Sequence, residues 1–191
     1  MSDLRRVGVK FFCRAGEDIL LPDFIPVFHR WIQTSAVDGM LIDVADYSHV
    51  PEGPGVILVA HEGIYSIDES CGRRGLAYLR RRGSESTFDD ALSASLRAAA
   101  RACRLLEEEF DGRMRFRGDE IEVFAPDRLF ARNDDATISQ LRHHLSSLAE
   151  GLYPGIEYAL VRQRGEREPF TVSLRSRTDV AFSDLAGRIL G

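Results

Sequence analysis

The chain has 191 residues, of which 44% are hydrophobic and 29% are charged, and its formal net charge is −5. A chain of this length and composition can fold as a globular protein without a disulfide or a structural metal. The acidic balance argues against a general nucleic-acid-binding protein, which normally carries a basic excess.

Cysteine and lysine are both scarce. Cys13, Cys71 and Cys103 are widely spaced, odd in number and form no CxxC pair, which predicts a reducing cytoplasmic environment. Lys10 is the only lysine, and we attribute the excess of arginine to a GC-rich bacterial genome. No apolar stretch is long enough for a signal peptide or a membrane span, so we expect no membrane association.

The first part of the chain predicts strands around one short helix. Three stretches rich in β-forming residues predict strands: 7–13, 40–47 and 56–60. Apolar residues at helical spacing predict a helix over 23–33. Residues 76–80 are predicted to form the hairpin partner of the strand at 56–60.

The second part predicts longer helices. Apolar residues recur in a 4-3-4-3-4 pattern from Leu92 to Phe110, and Thr87 with Asp90 has the spacing of a capping box. A second helix is predicted to begin at Asp134 or Asp135. The remaining predicted elements are strands at 114–116, 121–125, 156–161 and 170–174, the first two as a hairpin around Gly118 and Asp119, and a short helix at 182–190.

These elements predict a single α+β domain over residues 1–191, with a mostly antiparallel sheet of about seven or eight strands and three main helices. Both halves follow the order β-α-β-β, which suggests an internal pseudo-repeat with a half-boundary near 81–88. Paired modules of this kind resemble, in architecture alone, the glyoxalase-like class of metal-dependent folds. The first strand carries no histidine or carboxylate, so we carry over no metal site from that class.

The segment 41–68 is the densest in groups that could perform chemistry. Its carboxylates and imidazoles are Asp43, Asp46, His49, His61, Glu62 and Asp68. Such groups bind divalent metals or act in acid–base catalysis, but strand alternation separates most of them. We therefore single out Asp43, His61 and Glu62 as candidate catalytic residues and Tyr65 as a candidate ligand-binding residue. The identity of any metal or other cofactor stays open.

Asp43 carries the sharpest of these predictions. It lies within an apolar run, where an unpaired carboxylate would cost several kcal/mol, so we expect it to have a partner. That partner is a metal or substrate in a functional site, or an arginine or backbone amide in a structural one.

Arginines are concentrated between residues 73 and 82. Arg73, Arg74, Arg80, Arg81 and Arg82 form this cluster. Because arginine pairs well with phosphate and carboxylate groups, Arg73 and Arg74 are candidate ligand-binding residues, and the cluster is a candidate site for an anion or RNA.

The chain contains no GxGxxG, P-loop, HExxH or GxSxG motif. We therefore favour a cytoplasmic protein that binds a small molecule or a protein partner, an interpretation compatible with a homo-oligomer. One alternative is a small metal-assisted hydrolase or lyase that uses Asp43, His61 and Glu62. The other is anion or RNA binding through the 73–82 cluster, although the charge makes nucleic acid the less favoured partner. Whether the protein is an enzyme stays open.

Overall fold

The computed structural model describes residues 4, 6–15, 18–81, 87–163, 165 and 168–191. Its strands are β1 (Gly8–Ala15), β2 (Leu41–Tyr47), β3 (Gly55–Ala60), β4 (Gly63–Asp68), β5 (Gly75–Arg80), β6 (Arg115–Ala125), β7 (Tyr158–Arg162) and β8 (Phe170–Ser176). Its helices are α1 (Phe24–Thr34), α2 (Phe88–Glu109), α3 (Asp135–Leu152) and α4 (Phe182–Leu190), with short 3-10 helices at Leu21–Asp23 and Ser70–Gly72.

All eight strands join one antiparallel sheet in the order β2-β3-β4-β5-β1-β6-β8-β7. The prediction of an α+β fold with a mostly antiparallel sheet is confirmed. The first strand lies in the interior of the sheet between β5 and β6, whereas β2 and β7 form the two edges. Side chains on β1 are therefore flanked by strands on both sides.

Local sequence signals fix where the two long helices begin. Thr87 accepts a hydrogen bond from the amide of Asp90 at the start of α2, and Asp134 accepts one from the amide of Thr137 at the start of α3. Each cap satisfies a backbone donor that has no partner inside its helix. Of the two candidates at the start of this helix, Asp134 and Asp135, Asp134 is therefore the capping residue.

The four helices bury their apolar faces against one side of the sheet. The predicted stripe of α2 is buried there, and one continuous cluster joins it to the other helices and to alternate strand residues such as Val9, Phe11 and Ile121. Two edge-to-face ring pairs lie in this cluster, Phe11 with Phe182 and Phe24 with Phe110. No helix of the described residues lies on the opposite face of the sheet.

Two strand predictions are wrong. The strand at 56–60 pairs with β4, which lies between it and β5, so residues 76–80 are not its hairpin partner. Residues 114–125 form no tight hairpin around Gly118 and Asp119, because β6 is one long strand with a register shift opposite β1.

The pseudo-repeat is not confirmed. Both halves contain the order β-α-β-β, but their strands pair differently, because β6 pairs with β8 in the second half whereas β1 does not pair with β3 in the first. The predicted half-boundary near 81–88 is largely outside the described residues, which omit residues 82–86. Within the described part of the chain, no helix combines the length and apolar character that crossing a bilayer requires.

Candidate functional site

Asp43 lies on the exposed edge strand β2, where it pairs with Val59 of β3. Its carboxylate accepts a hydrogen bond from the next amide, that of Val44, at 2.8 Å. Because the side chain faces solvent, the expected cost of burying this charge does not arise. The partner that Asp43 finds is a local backbone amide.

His61 and Glu62 form the turn between β3 and β4. His61 Nδ1 lies 3.7 Å from Glu62 Oε1, and both side chains are exposed. Glu62 also accepts a weak hydrogen bond from the amide of Met40. No hydrogen bond or ion pair joins Asp43 to either residue, and the described residues contain no group of three potential metal ligands.

Tyr65 points to the helix side of the sheet. It is 2% exposed, and its ring lies 4.6 Å from that of Tyr78 on the neighbouring strand β5. Burial raises the pKa of the Tyr65 hydroxyl above its ordinary value. The structure thus places this ring in the core, on the face of the sheet that the helices cover.

The arginine cluster of the sequence divides in the structure. Arg73 donates two hydrogen bonds to Glu120 of β6, whereas Arg74 bonds to Glu69 and to the carbonyl of Ile19. Arg80 and Arg81 lie at the far end of β5, and Arg82 is outside the described residues. These side chains therefore do not form one basic surface.

Strand alternation assembles a row of residues across the open face of the sheet, which is the face opposite the helix layer. The row runs through paired positions on six strands: Ile57, Ser66, Ala77, Lys10, Glu122 and Ser173. Because β1 is an interior strand, the only lysine of the chain lies at the middle of this row.

Lys10 forms a buried ion pair with Asp68 on this face. The Lys10 ammonium is 3.2 Å from Asp68 Oδ2, and the lysine side chain is only 2% exposed. Asp68 also accepts hydrogen bonds from the amide and hydroxyl of Ser70. The ammonium lies 5.2 Å from the centre of the Phe12 ring, a cation–π distance. The carboxylate is thus held in one orientation by three donors.

A cleft of about 410 Å³ opens beside this ion pair. Its apolar lining comes from Ile57, Ile64, Ala77, Leu79 and Phe124 on the strands and from Pro54, Pro126 and Pro169 in loops. Its polar lining comes from Glu52, Ser66, Asp68, Ser70, Glu122 and Thr171. The cleft therefore has an apolar body and hydrogen-bonding groups that include three carboxylates.

Gly8 makes room for one wall of the cleft. It pairs with Phe124 across the β1–β6 ladder, and a Cβ at this position would lie 2.3 Å from Phe124 Cζ. Only glycine lets the ring fold across the central strand. The phenylalanine thereby supplies apolar surface at a place where β1 itself has no side chain.

The loop after β4 closes one end of the cleft. Cys71 adopts a left-handed conformation with φ of 57°, and its amide donates to Glu52 Oε2 at 2.9 Å. This bond ties the β2–β3 loop to the segment that carries Ser70.

The other two cysteines, Cys13 and Cys103, contribute no reactive thiol. Burial raises the pKa of Cys13 to about 12 and that of Cys103 well above its ordinary value.

Sequence reasoning did not select Lys10, Asp68 and Glu122 as a set. One signal was present: Lys10 alternates with Val9 and Phe11 in a strand of β-forming residues, which places a long cation on the face opposite the core. The partners of Lys10 depend on which strands flank β1, and that information is not local.

No known protein family, curated protein or solved structure matches this chain. The assignment of a site therefore depends on the geometry of the molecule itself.

Proposed function

We propose that this protein binds a small molecule with an apolar body and a hydrogen-bond-donating polar group in the cleft on the open face of the sheet. The observation that carries the proposal is the cleft itself, which combines mainly apolar walls with an ordered polar floor beside the Lys10–Asp68 pair. Its volume of about 410 Å³ falls within the range of small-molecule sites.

The walls determine what the body of the ligand must be. Isoleucine, leucine, phenylalanine and proline side chains surround most of the cleft, so an apolar group that enters it leaves water and gains dispersion contacts. Transfer of apolar area from water is worth about 25 cal/mol per Å². A ligand whose hydroxyl groups lay against these apolar walls would lose hydrogen bonds to water there without replacing them.

The floor determines the polar group. The charged lining residues within the described part of the chain are Glu52, Asp68 and Glu122, and all three carry hydrogen-bond acceptors. Asp68 is oriented by Lys10 and Ser70, so little further ordering is needed when a ligand arrives. An amine or a hydroxyl complements these acceptors, whereas a carboxylate on the ligand would be repelled.

A matched set of ligands tests the proposal. Thermal unfolding is followed with aryl and alkyl amines, alcohols and carboxylic acids that share the same carbon skeletons. A ligand at 100 times its dissociation constant stabilises the folded state by about 2.7 kcal/mol, which raises the Tm by several degrees. We expect stabilisation by amines or alcohols and none by the acids.

A variant that fills the cleft localises the binding. Ala77→Leu places a larger side chain in the cleft and so reduces the space that is open to a ligand. Ala136→Leu, on the exposed first turn of α3, is the matched control. The Ala77 variant should lose the ligand response while the Ala136 variant keeps it. The proposal is wrong if no compound raises the Tm or if Ala77→Leu responds as the wild type does. A dimer detected by light scattering and disrupted by Ala77→Leu would assign the cleft to a second copy of the chain and would also overturn the proposal.

A further inference from the structure

A second cavity, of about 420 Å³, lies on the same face and is rich in arginine. Arg73 comes from the loop before β5, Arg117 from β6 and Arg175 from β8. The remaining lining residues are Asp119, Glu120 and Ser176. Three guanidinium groups that are far apart in the sequence therefore meet at one place.

A buried carboxylate holds two of these arginines. Glu120 is 4% exposed at its side chain and accepts two hydrogen bonds from Arg73, at 2.9 and 2.6 Å, and one from Arg175 Nε at 2.9 Å. The Arg73 guanidinium also stacks on the Phe12 ring at 3.7 Å. Both cations are thus oriented before any ligand binds, which lowers the entropic cost of binding.

The third arginine is held in the same way. Arg117 donates to both oxygens of Asp119, at 2.9 and 2.7 Å. Three guanidiniums and two carboxylates leave one net positive charge at the cavity. The neighbouring pair of Arg14 and Asp179 is balanced, and Glu122, which lines an adjoining pocket with Arg73, lies across the β1–β6 ladder from Lys10.

Unused donors remain on these arginines. A guanidinium has five N–H groups. Arg175 uses one of them with Glu120, and its side chain is 41% exposed. Arg73 and Arg117 use two each in the bonds described. The cavity therefore offers N–H groups from three directions to a molecule that enters from solvent.

We propose that this cavity binds a phosphate group, either free or as a monoester, through Arg73, Arg117 and Arg175. A planar carboxylate is best bound by a guanidinium fork, and the forks of Arg73 and Arg117 already hold carboxylates of this chain, which leaves single N–H groups for a ligand. Donors that approach from three sides match the tetrahedral oxygens of phosphate better than a planar group. This proposal does not depend on the cleft beside Lys10, because none of the six lining residues belongs to that cleft.

The test is a titration of the full chain with inorganic phosphate and with phenyl phosphate by calorimetry, at constant ionic strength in chloride. Acetate serves as the planar comparison. Arg175→Gln removes one guanidinium from the cavity, and Glu120 keeps its bonds to Arg73. Arg177→Gln is the matched control, because it removes the same charge only two residues along the chain. Arg177 is exposed and pairs with Glu157 outside the cavity.

We expect phosphate or its monoester to bind the wild type and acetate to bind at least about tenfold more weakly. Loss of a charge-assisted hydrogen bond should weaken phosphate binding about tenfold or more in Arg175→Gln, with Arg177→Gln close to the wild type. Should Arg175→Gln fail to fold by circular dichroism, Arg117→Gln tests the same cavity. Absence of phosphate binding, or an equal loss in the cavity and control variants, would overturn the proposal. Much tighter binding of an RNA oligonucleotide, reduced equally by Arg175→Gln and Arg177→Gln, would do the same.

Discussion

The ammonium of Lys10 lies 3.2 Å from the carboxylate of Asp68 in the middle of an eight-stranded sheet, on the side opposite the helix layer. The lysine is almost fully buried, yet its carboxylate partner borders a cleft. A pair of this kind costs desolvation energy on both partners, so its contribution to stability depends on whether both members are present.

Removal of one member of this pair should be more damaging than removal of both. Asp68→Asn removes the charge that pairs with the buried ammonium, although Glu122 remains across the ladder from Lys10, and should lower the free energy of unfolding by about 2–3 kcal/mol. The double variant Lys10→Met with Asp68→Leu replaces the pair by apolar groups and should recover much of that loss. Urea denaturation measures both values. A double variant less stable than Asp68→Asn would show that the pair itself is a net source of stability.

Two glycines with nearly the same positive φ should differ in their tolerance of a side chain. Gly55 has φ of 66° and Gly72 has φ of 67°. A Cβ at Gly55 would lie 2.0 Å from the carbonyl oxygen of Ile67, whereas a Cβ at Gly72 would meet no atom within 4 Å. Gly72→Ala should cost only the left-handed strain, about 1–2 kcal/mol.

Gly55→Ala should cost clearly more than Gly72→Ala, because the β3–β4 ladder must separate to admit the methyl group. Parallel urea denaturation of the two variants measures the difference. Equal losses would mean that strand β4 shifts without cost and that this end of the cleft is not rigid.

The helices were predictable from the sequence because their signals are local. The stripe of α2 and the cap at Thr87 lie within the helix that they define. The β6 hairpin was predicted wrongly for a non-local reason. A Cβ at Gly118 would lie 2.5 Å from the carbonyl oxygen of Val180, and the adjacent Arg117 forms a bridge with Ala181. This glycine therefore permits close approach of another segment and does not mark a turn.

The candidate site was harder to predict, because strand order decides which residues are buried. Asp43 and Lys10 both lie among apolar neighbours in the sequence, but β2 is an edge strand and β1 an interior one. The carboxylate thus reaches solvent while the ammonium is buried. Likewise, Arg73 meets Arg175 only because β1, β6 and β8 are neighbours.

The residues first predicted to be catalytic offer a further test. Asp43 is exposed and bonds to an adjacent amide, and His61 and Glu62 lie in an exposed turn. Asp43→Asn should therefore change the free energy of unfolding by less than about 0.5 kcal/mol. We also expect Zn²⁺, Mn²⁺ and Mg²⁺ to leave the Tm of the wild type unchanged. A Tm increase with one of these ions that disappears in Asp43→Asn would restore the metal-site hypothesis.

The acid sensitivity of the fold should depend in part on Glu120. Burial raises the pKa of its carboxyl, but the hydrogen bonds and charges of Arg73 and Arg175 outweigh burial, so that the pKa lies below its ordinary value of 4.5. A carboxyl whose pKa is lower in the folded state than in the unfolded state stabilises the fold above its unfolded pKa. That stabilisation is lost as the pH falls below about 4.5 towards the folded pKa.

Glu120→Gln should therefore be less stable than the wild type at pH 6, and the difference should shrink as the pH falls from about 5 to about 3. Chemical denaturation across this range measures it. Glu150→Gln, on the exposed surface of α3, is the control and should show a small difference at every pH. A Glu120 difference that stays constant with pH would mean that the arginines stabilise this side chain by packing and not by its charge.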